Sequence, residues 1–318
     1  NSLTNNSVTG ILQDAQNNTW ISTYGGGINR FQVSTGTFEY YPCINDRTGE
    51  EHKVVLVLYE DRDKDLWAGT FANGKLFRFH RGKNRFEVFD HNLSNLLSMA
   101  EDANGNLWAG NTNQLIKIDK KNRKHRYYEI SKPVRGIYED KKGNFWIGTE
   151  GGGLILFDRN KGEIVRRFSV EDGLCNNSIL KILEDDKGQL WLSTFDGLSK
   201  FNWEKKEFRN YYQSDGLQSN QFHFRTGLRL ASGEFVFGGI KGFSLFYPDS
   251  IQPRKYMPPV VLTNLRINGK PAADAFDYVV KTSGDEIRSL RIPYSDAQLT
   301  VDFAALEYSA PDRIAYAY

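Results

Sequence analysis

Tryptophan recurs along this chain at nearly even spacing, and this period limits the possible folds more than any other feature. Five tryptophans follow one another 47, 41, 38 and 45 residues apart, and Phe235 takes a sixth position 44 residues after the last of them; the five are Trp20, Trp67, Trp108, Trp146 and Trp191. A period of about 40 residues is typical of propellers and solenoids, in which each repeat is one supersecondary unit. The chain is therefore expected to consist mainly of stacked copies of one unit.

Each repeat has the pattern of a four-stranded antiparallel sheet. An apolar run ending in Glu-Asp leads into a hairpin turn such as Ala103-Asn104-Gly105-Asn106, and the strand after that turn carries the tryptophan. A glycine-rich turn such as Gly151-Gly152-Gly153 follows, because glycine readily adopts the positive φ angles of such turns. Residues 154–157 and 164–168 then predict a third and a fourth strand.

One such sheet cannot bury both of its faces, so radial stacking against neighbouring copies is expected. The sequence thus predicts an all-β chain with a β-propeller over residues 1–252, made of six four-stranded repeats that form part of a seven-bladed propeller. The tryptophans recur whatever the function of each repeat. We therefore interpret them as wedges between blades and not as binding residues.

The period stops near residue 249, where the composition changes. Residues 253–259 are proline-rich and predict a non-helical linker. Beyond it, residues 260–267, the turn Asn268-Gly269 and later alternating segments predict strands of an immunoglobulin-like β-sandwich over 260–318. Because such sandwiches have ~100 residues, the second domain is expected to be truncated and the chain to be a fragment of a longer protein.

Charge and cysteine content exclude several classes of function. With 41 basic and 39 acidic residues the net charge is only +2, so the chain has no overall field that would attract nucleic acid or an anionic membrane, and we expect contact with neither. Cys43 and Cys175 lie in different repeats, without the spacing of zinc ligands. We expect no metal, no cofactor and no catalytic residue.

Two recurring sequence motifs resemble those of one known family. The motif around residues 184–191, with its five counterparts, resembles the regulator-propeller repeats of bacterial hybrid two-component sensors. Residues 172–177 and 215–220 resemble the linkers between such repeats. Residues 259–269 and 303–309 resemble the opening half of the three-tyrosine (Y_Y_Y) sandwich domain. In that family two propellers of seven blades are usual, and the sandwich domain follows them.

The resemblance implies a function for the whole protein. It would be the periplasmic sensory region of an inner-membrane protein that detects a glycan-derived oligosaccharide and drives a cytoplasmic histidine kinase, a receiver and a DNA-binding domain. These would switch on polysaccharide-utilisation genes. The intact ectodomain would act as a homodimer. This chain would contribute ligand recognition and the start of signal transmission, and no enzymatic activity.

We expect a ligand site on the face that carries the second-to-third-strand turns, where residues differ between repeats. Aromatic candidates there stack on sugar faces, and polar candidates fix hydroxyls or a carboxylate. Each of them is also compatible with a purely structural role. The candidate residues are Tyr24, Lys53, Phe71, Arg135, Glu150, Phe195, His223 and Lys241.

Three alternatives remain open from the sequence. A basic run between Lys117 and Arg126 suits either an acidic glycan or a solvated turn. A propeller enzyme resembling the streptogramin lyases would need a histidine, such as His223, beside acidic residues on the central face. A protein-interaction propeller would bind a partner protein instead of a small ligand.

Overall fold

The computed structural model describes residues 2–251, 259–271, 279–283, 286–291 and 298–306. The chain divides into two compact units, residues 1–251 and 252–318. The predicted linker over 253–259 lies outside the described residues except for Pro259. The described strands of both units pair in antiparallel sheets.

The first unit begins with five four-stranded sheets, in which neighbouring strands follow the order of the chain. We call them blades 1 to 5. Their strands are β1 Val8–Gln13, β2 Thr19–Thr23, β3 Ile28–Gln32, β4 Thr37–Tyr41; β5 Val55–Glu60, β6 Leu66–Thr70, β7 Leu76–His80, β8 Arg85–Asp90; β9 Ser98–Glu101, β10 Leu107–Gly110, β11 Gln114–Ile118, β12 Arg126–Glu129; β13 Val134–Glu139, β14 Phe145–Thr149, β15 Leu154–Asp158, β16 Glu163–Phe168; and β17 Ile179–Glu184, β18 Leu190–Thr194, β19 Leu198–Asn202, β20 Glu207–Tyr211. The predicted propeller repeat is confirmed for these five blades.

Blade 6 has three strands among the described residues, one fewer than in the predicted four-stranded repeat. The strands are β21 Phe222–Arg229, β22 Phe235–Gly239 and β23 Gly242–Phe246. After β23 the chain enters a short 3₁₀ turn, Pro248–Ser250. In blade 2 a 3₁₀ turn, Arg81–Lys83, lies at the corresponding place between the third and the fourth strand.

The spacing predicts that Phe235 occupies the tryptophan position of blade 6, and the structure shows that it does not. Phe235 pairs with Arg229, and in blade 5 Leu190 pairs with Glu184. Phe235 therefore corresponds to Leu190, and the tryptophan position belongs to Val236. The spacing was misleading because Phe235 is also a large buried aromatic side chain.

Each of the five recurring tryptophans is fixed by an aspartate six residues before it. The indole Nε1 donates a hydrogen bond of 2.8–3.0 Å to Oδ2 of that aspartate; the pairs are Trp20–Asp14, Trp67–Asp61, Trp108–Asp102, Trp146–Asp140 and Trp191–Asp185. The rings pack across blade boundaries: Trp20 meets Phe79 of blade 2 edge-on, with ring centroids 4.9 Å apart. The prediction that tryptophans wedge neighbouring blades is confirmed.

The glutamate of each Glu-Asp pair joins its blade to the one before it. Glu60 of blade 2 accepts hydrogen bonds from the backbone N–H of Ala15 in the first turn of blade 1, at 2.9 and 3.1 Å. The same contact recurs in the next three blades, in Glu101 with Arg62, Glu139 with Ala103 and Glu184 with Lys141. The interpretation of these carboxylates as structural is confirmed.

A β-bulge recurs in the innermost strand of four blades. In each, one residue is skipped by the pairing between the first and second strands; the skipped residues are Thr9, Leu56, Arg135 and Leu180. In blade 6 the same segment, between Phe222 and Gly227, is two residues longer and contains Arg225, whose φ is 62°. A bulge changes the direction in which a side chain points. The residue at the bulge position is therefore redirected in the same way in each of the four blades, although its type differs.

In the second unit β24, Val260–Ile267, lies between β25, Lys270–Pro271, and β28, Leu299–Ala305. A separate pair is formed by β26, Val279–Ser283, and β27, Glu286–Leu290. The predicted strand over 260–267 and the turn Asn268-Gly269 are confirmed; both turn residues have positive φ, at 54° and 78°. An immunoglobulin-like sandwich stays a prediction.

Candidate ligand-binding site

A cavity of about 630 Å³ opens in the first unit where the innermost strands carry their bulges. Residues at the bulge position of blades 1, 2 and 4 line it, together with Leu97 of blade 3 and Arg225 of blade 6; the three bulged residues are Thr9, Leu56 and Arg135. The repeat therefore places side chains of five of the six blades at this cavity. The bulged residues are not part of the tryptophan–aspartate pairs, and their residue type differs from blade to blade.

Aromatic side chains form one part of the cavity wall. Tyr24 and Phe71 each follow the second strand of their blade, and both line the cavity together with Phe224. Tyr24 is 55% exposed, so its ring is accessible from the cavity. Exposed aromatic faces of this kind suit ligands with flat apolar surfaces, such as the C–H face of a sugar ring.

Arg135 is held rigidly beside these rings. Its Nη2 and Nε lie 2.6 and 2.7 Å from Oε2 of Glu150. Its guanidinium carbon lies 4.0 Å from the ring centroid of Phe224, within cation–π range. Phe195 packs edge-on against Phe224 at 5.3 Å. The ion pair of Arg135 and Glu150 is thus neutral overall, and it offers a planar, oriented polar surface.

Arg225 brings a second guanidinium to the same cavity, but without an acid. Its Nη2 lies 3.4 Å from the carbonyl oxygen of Leu58, and its Nη1 is buried without a hydrogen-bond partner. Burial lowers the pKa of Arg225 to about 10. The group remains a cation at neutral pH.

Lys181, on β17, is close to Arg225. A Cβ built on Gly227, two residues after Arg225, would lie 2.5 Å from Cγ of Lys181, so the lysine stem packs directly on that glycine. Burial, and secondly the charge of Arg225, lower the pKa of Lys181 to about 8. Within the described residues neither cation forms an ion pair.

The structure brings six of the eight predicted site residues to this region. Tyr24, Phe71, Arg135 and His223 line the cavity. Glu150 and Phe195 do not line it, but each contacts a residue that does, as described above. Their role as ligand contacts stays a prediction.

The other two predicted residues lie elsewhere. The carbonyl oxygen of Lys53 accepts hydrogen bonds from the N–H groups of Gly25 and Gly27, and its ammonium lies 3.3 Å from Glu51. Lys241 donates its backbone N–H to Oε1 of Gln218. Neither lysine is among the residues around the cavity.

The sequence-based reasoning missed three residues: Phe224, Arg225 and Lys181. The sixth repeat was aligned on Phe235, and the two-residue difference in its first strand hid Phe224 and Arg225. Lys181 had a visible signal, since the same register position holds an uncharged residue in the first four blades; these residues are Gly10, Val57, Ser98 and Gly136.

The basic run of blade 3 lies on the turn between β11 and β12, as predicted, and several of its members have structural partners. Lys120 Nζ lies 3.0 Å from Asp61 Oδ2. His125 Nε2 lies 3.2 Å from Asp90 Oδ2. These contacts favour the structural interpretation of the run.

Two further observations concern only the part of the chain that the structure describes. No three His, Cys, Asp or Glu side chains there form a group able to hold a metal ion. No helix there has the length and apolar character required to span a bilayer.

Comparison with known proteins shows what parts of the chain are similar to. Residues 2–25, 128–151 and 173–196 match the family described as two component regulator propeller. The chain is 28% identical over 279 residues to histidine kinase P4 of Formosa agariphila, an alignment that covers 81% of this chain and 20% of that protein.

Solved structures give the same result. The extracellular domain of a protein described as the hybrid two component system BT3049 of B. thetaiotaomicron superposes with a TM-score of 0.74 at 25% identity, covering 98% of this chain and 43% of that one. The extracellular domain of BT4673 from the same organism has the same fold, with a TM-score of 0.65 at 20% identity, covering 85% of this chain and 37% of that one.

Three segments of this chain are therefore similar to two-component regulator propeller repeats. In fold, the chain resembles part of the extracellular domains of hybrid two-component systems. It spans a fifth of the curated relative and less than half of these extracellular domains.

Proposed function

We propose that this chain recognises a glycan-derived oligosaccharide at the cavity of the first unit, as part of the periplasmic region of an inner-membrane hybrid sensor. In the whole protein, ligand binding would drive a histidine kinase and a response regulator that control polysaccharide-utilisation genes. The intact ectodomain would act as a homodimer.

The wall of the cavity is the observation that carries this proposal. Three aromatic rings, Tyr24, Phe71 and Phe224, lie beside the fixed ion pair of Arg135 and Glu150. A sugar has apolar C–H faces that pack on aromatic rings and hydroxyl groups that require oriented donors and acceptors. A volume of about 630 Å³ is typical of small-molecule sites.

Signal transmission would follow from the position of the site. The cavity is lined by residues of five different blades, so a ligand that contacts several of them favours one arrangement of the blades over others. We propose that this preference is passed on to the second unit, and identical domain orientation with and without ligand would contradict it.

A thermal-shift screen of this chain against neutral and acidic oligosaccharides tests the proposal. A ligand at 100 times its dissociation constant adds about 2.7 kcal/mol of stability. We expect one class of oligosaccharide to raise the melting temperature selectively. If no oligosaccharide does so and a partner protein does, the chain is a protein-interaction propeller.

Substitution of one ring locates the site. We expect Tyr24→Ala to weaken oligosaccharide binding about fivefold, since loss of a stacked ring costs about 1 kcal/mol. Tyr127→Ala is the matched control, because Tyr127 is another exposed tyrosine, on β12, away from the cavity. Equal affinity of both variants for the oligosaccharide would exclude this cavity as the binding site.

A further inference from the structure

The cavity described above holds an excess of positive charge. Arg135 is neutralised by Glu150, whereas Arg225 and the adjacent Lys181 have no carboxylate partner within the described residues. Buried cations are normally paired, because removal of a charge from water is costly. Two unpaired cations close to each other lower the stability of the fold, and an anion bound at Arg225 would reverse this effect.

The repeat itself does not require these cations. The position of Lys181 is occupied in blades 1 and 4 by glycine, in blade 2 by Val57 and in blade 3 by Ser98. Arg225 lies in the segment of blade 6 that is two residues longer than its counterpart in blade 5 and takes a left-handed backbone conformation. Residues that depart from the repeat and meet at one place are explained better by a ligand than by packing.

The chemistry of the two groups selects the ligand. A guanidinium matches the two oxygens of a carboxylate or a sulfate in a bidentate arrangement, and one nitrogen of Arg225 has no acceptor. The ammonium of Lys181 adds a second positive charge without being among the residues that line the cavity.

We propose that this cavity binds the carboxylate or sulfate ester of an acidic oligosaccharide, with Arg225 as the anion contact and Lys181 as a supporting charge. This inference rests on the proposed function and names the class of glycan. The aromatic wall would hold the sugar ring, and Arg225 would hold its charged substituent.

Inorganic sulfate is the first probe of the two cations. We compare the melting temperature in sulfate and in chloride at equal ionic strength, for the wild-type chain and for the variants Arg225→Gln and Lys181→Met. Lys205→Met is the control, since Lys205 is exposed on a turn of blade 5, the blade of Lys181, and forms no ion pair with any described residue. We expect a sulfate-specific rise of a few degrees in the wild type and in Lys205→Met, and its loss in both other variants. Equal rises in all four proteins would overturn the inference.

Matched oligosaccharides are the second probe. Trigalacturonate is compared with its neutral methyl ester, and a sulfated disaccharide with its desulfated form. We expect the acidic member of one pair to bind at least tenfold more tightly than its neutral counterpart, and Arg225→Gln to abolish that preference; which pair responds separates a carboxylate ligand from a sulfate ester.

The two proposals fail in different ways. If neutral sugars bind as well as acidic ones, with an affinity that depends on Tyr24 but not on Arg225, the glycan function stands and the anion site is overturned. If no sugar binds while sulfate still acts through Arg225, the anion site stands and the glycan function is overturned.

Discussion

Nε1 of Trp108 donates a hydrogen bond of 2.9 Å to Oδ2 of Asp102, and the same carboxylate accepts from Asn106 through both the side chain and the backbone. One aspartate thus fixes the first turn of blade 3 and orients the ring that packs against blade 4. Local turn structure and the packing between blades depend on the same side chain.

Asp102→Ala should therefore destabilise the first unit. It leaves a buried indole N–H without an acceptor and removes the anchor of a turn, which together cost on the order of 2–4 kcal/mol. Asn104→Ala is the control, since Asn104 lies on the same turn with an exposed side chain. Urea denaturation monitored by tryptophan fluorescence measures both. An equal, small loss in the two variants would contradict the assigned role.

The same carboxylate should make the fold sensitive to acid. Burial acts to raise the pKa of Asp102, but hydrogen bonds from Trp108 and Asn106 outweigh it and lower that pKa below 3.8. Since the folded pKa lies below the unfolded one, the stabilisation is complete above the unfolded value and is lost as the pH falls through the folded pKa. We expect the difference in stability between the wild type and Asp102→Asn to be constant at neutral pH and to shrink below about pH 4. A difference independent of pH would contradict this.

The contact of Glu60 with the Ala15 N–H predicts that substitution of Glu60 costs more stability than substitution of Gln13, which occupies the same repeat position. Glu60→Ala should cost about 1–3 kcal/mol, because it leaves the first turn of blade 1 without its carboxylate. Gln13 occupies the same position in blade 1 and is exposed, so Gln13→Ala should change stability by less than about 0.5 kcal/mol. Unfolding curves of the two variants provide the test, and equal losses would argue against the inter-blade role.

Lys181→Met should stabilise the protein in the absence of ligand. It removes a buried, unpaired charge, a gain on the order of 1–3 kcal/mol at pH 7. The folded pKa of about 8 lies below the unfolded value of 10.5, so the lysine is charged in both states below pH 8 and its penalty is complete there. The wild type should recover stability between about pH 8 and 10.5 as the folded lysine loses its proton, and the melting temperatures should converge. A lower melting temperature for the variant at pH 7 would contradict this.

The sequence predicted the blades well because each is specified locally. The tryptophan, the Glu-Asp pair and the turn glycines repeat, and each has a contact that recurs in its neighbours. Blade 6 was predicted less well because Val236 replaces the tryptophan and Leu230 follows Arg229 where the other blades have their aspartate. With neither marker present, the alignment shifted by one residue.

The candidate site was predicted in part. Tyr24, Phe71 and Glu150 were found because they follow the same strand of their respective blades, which a sequence pattern can reveal. The meeting of Lys181 with Arg225 depends on bulges, and on how the innermost strands of different blades lie around the cavity. A bulge changes which way a side chain points without a fixed sequence signal.

The bulge that recurs in the innermost strands has a consequence for how propellers of this kind diversify. The bulged residues are not members of the tryptophan–aspartate pairs, so a difference such as that between Leu56 and Arg135 leaves those pairs unchanged. Substitution of a single residue at a bulge position changes the chemistry of the cavity wall. A new ligand preference can therefore arise while the packing of the blades stays the same.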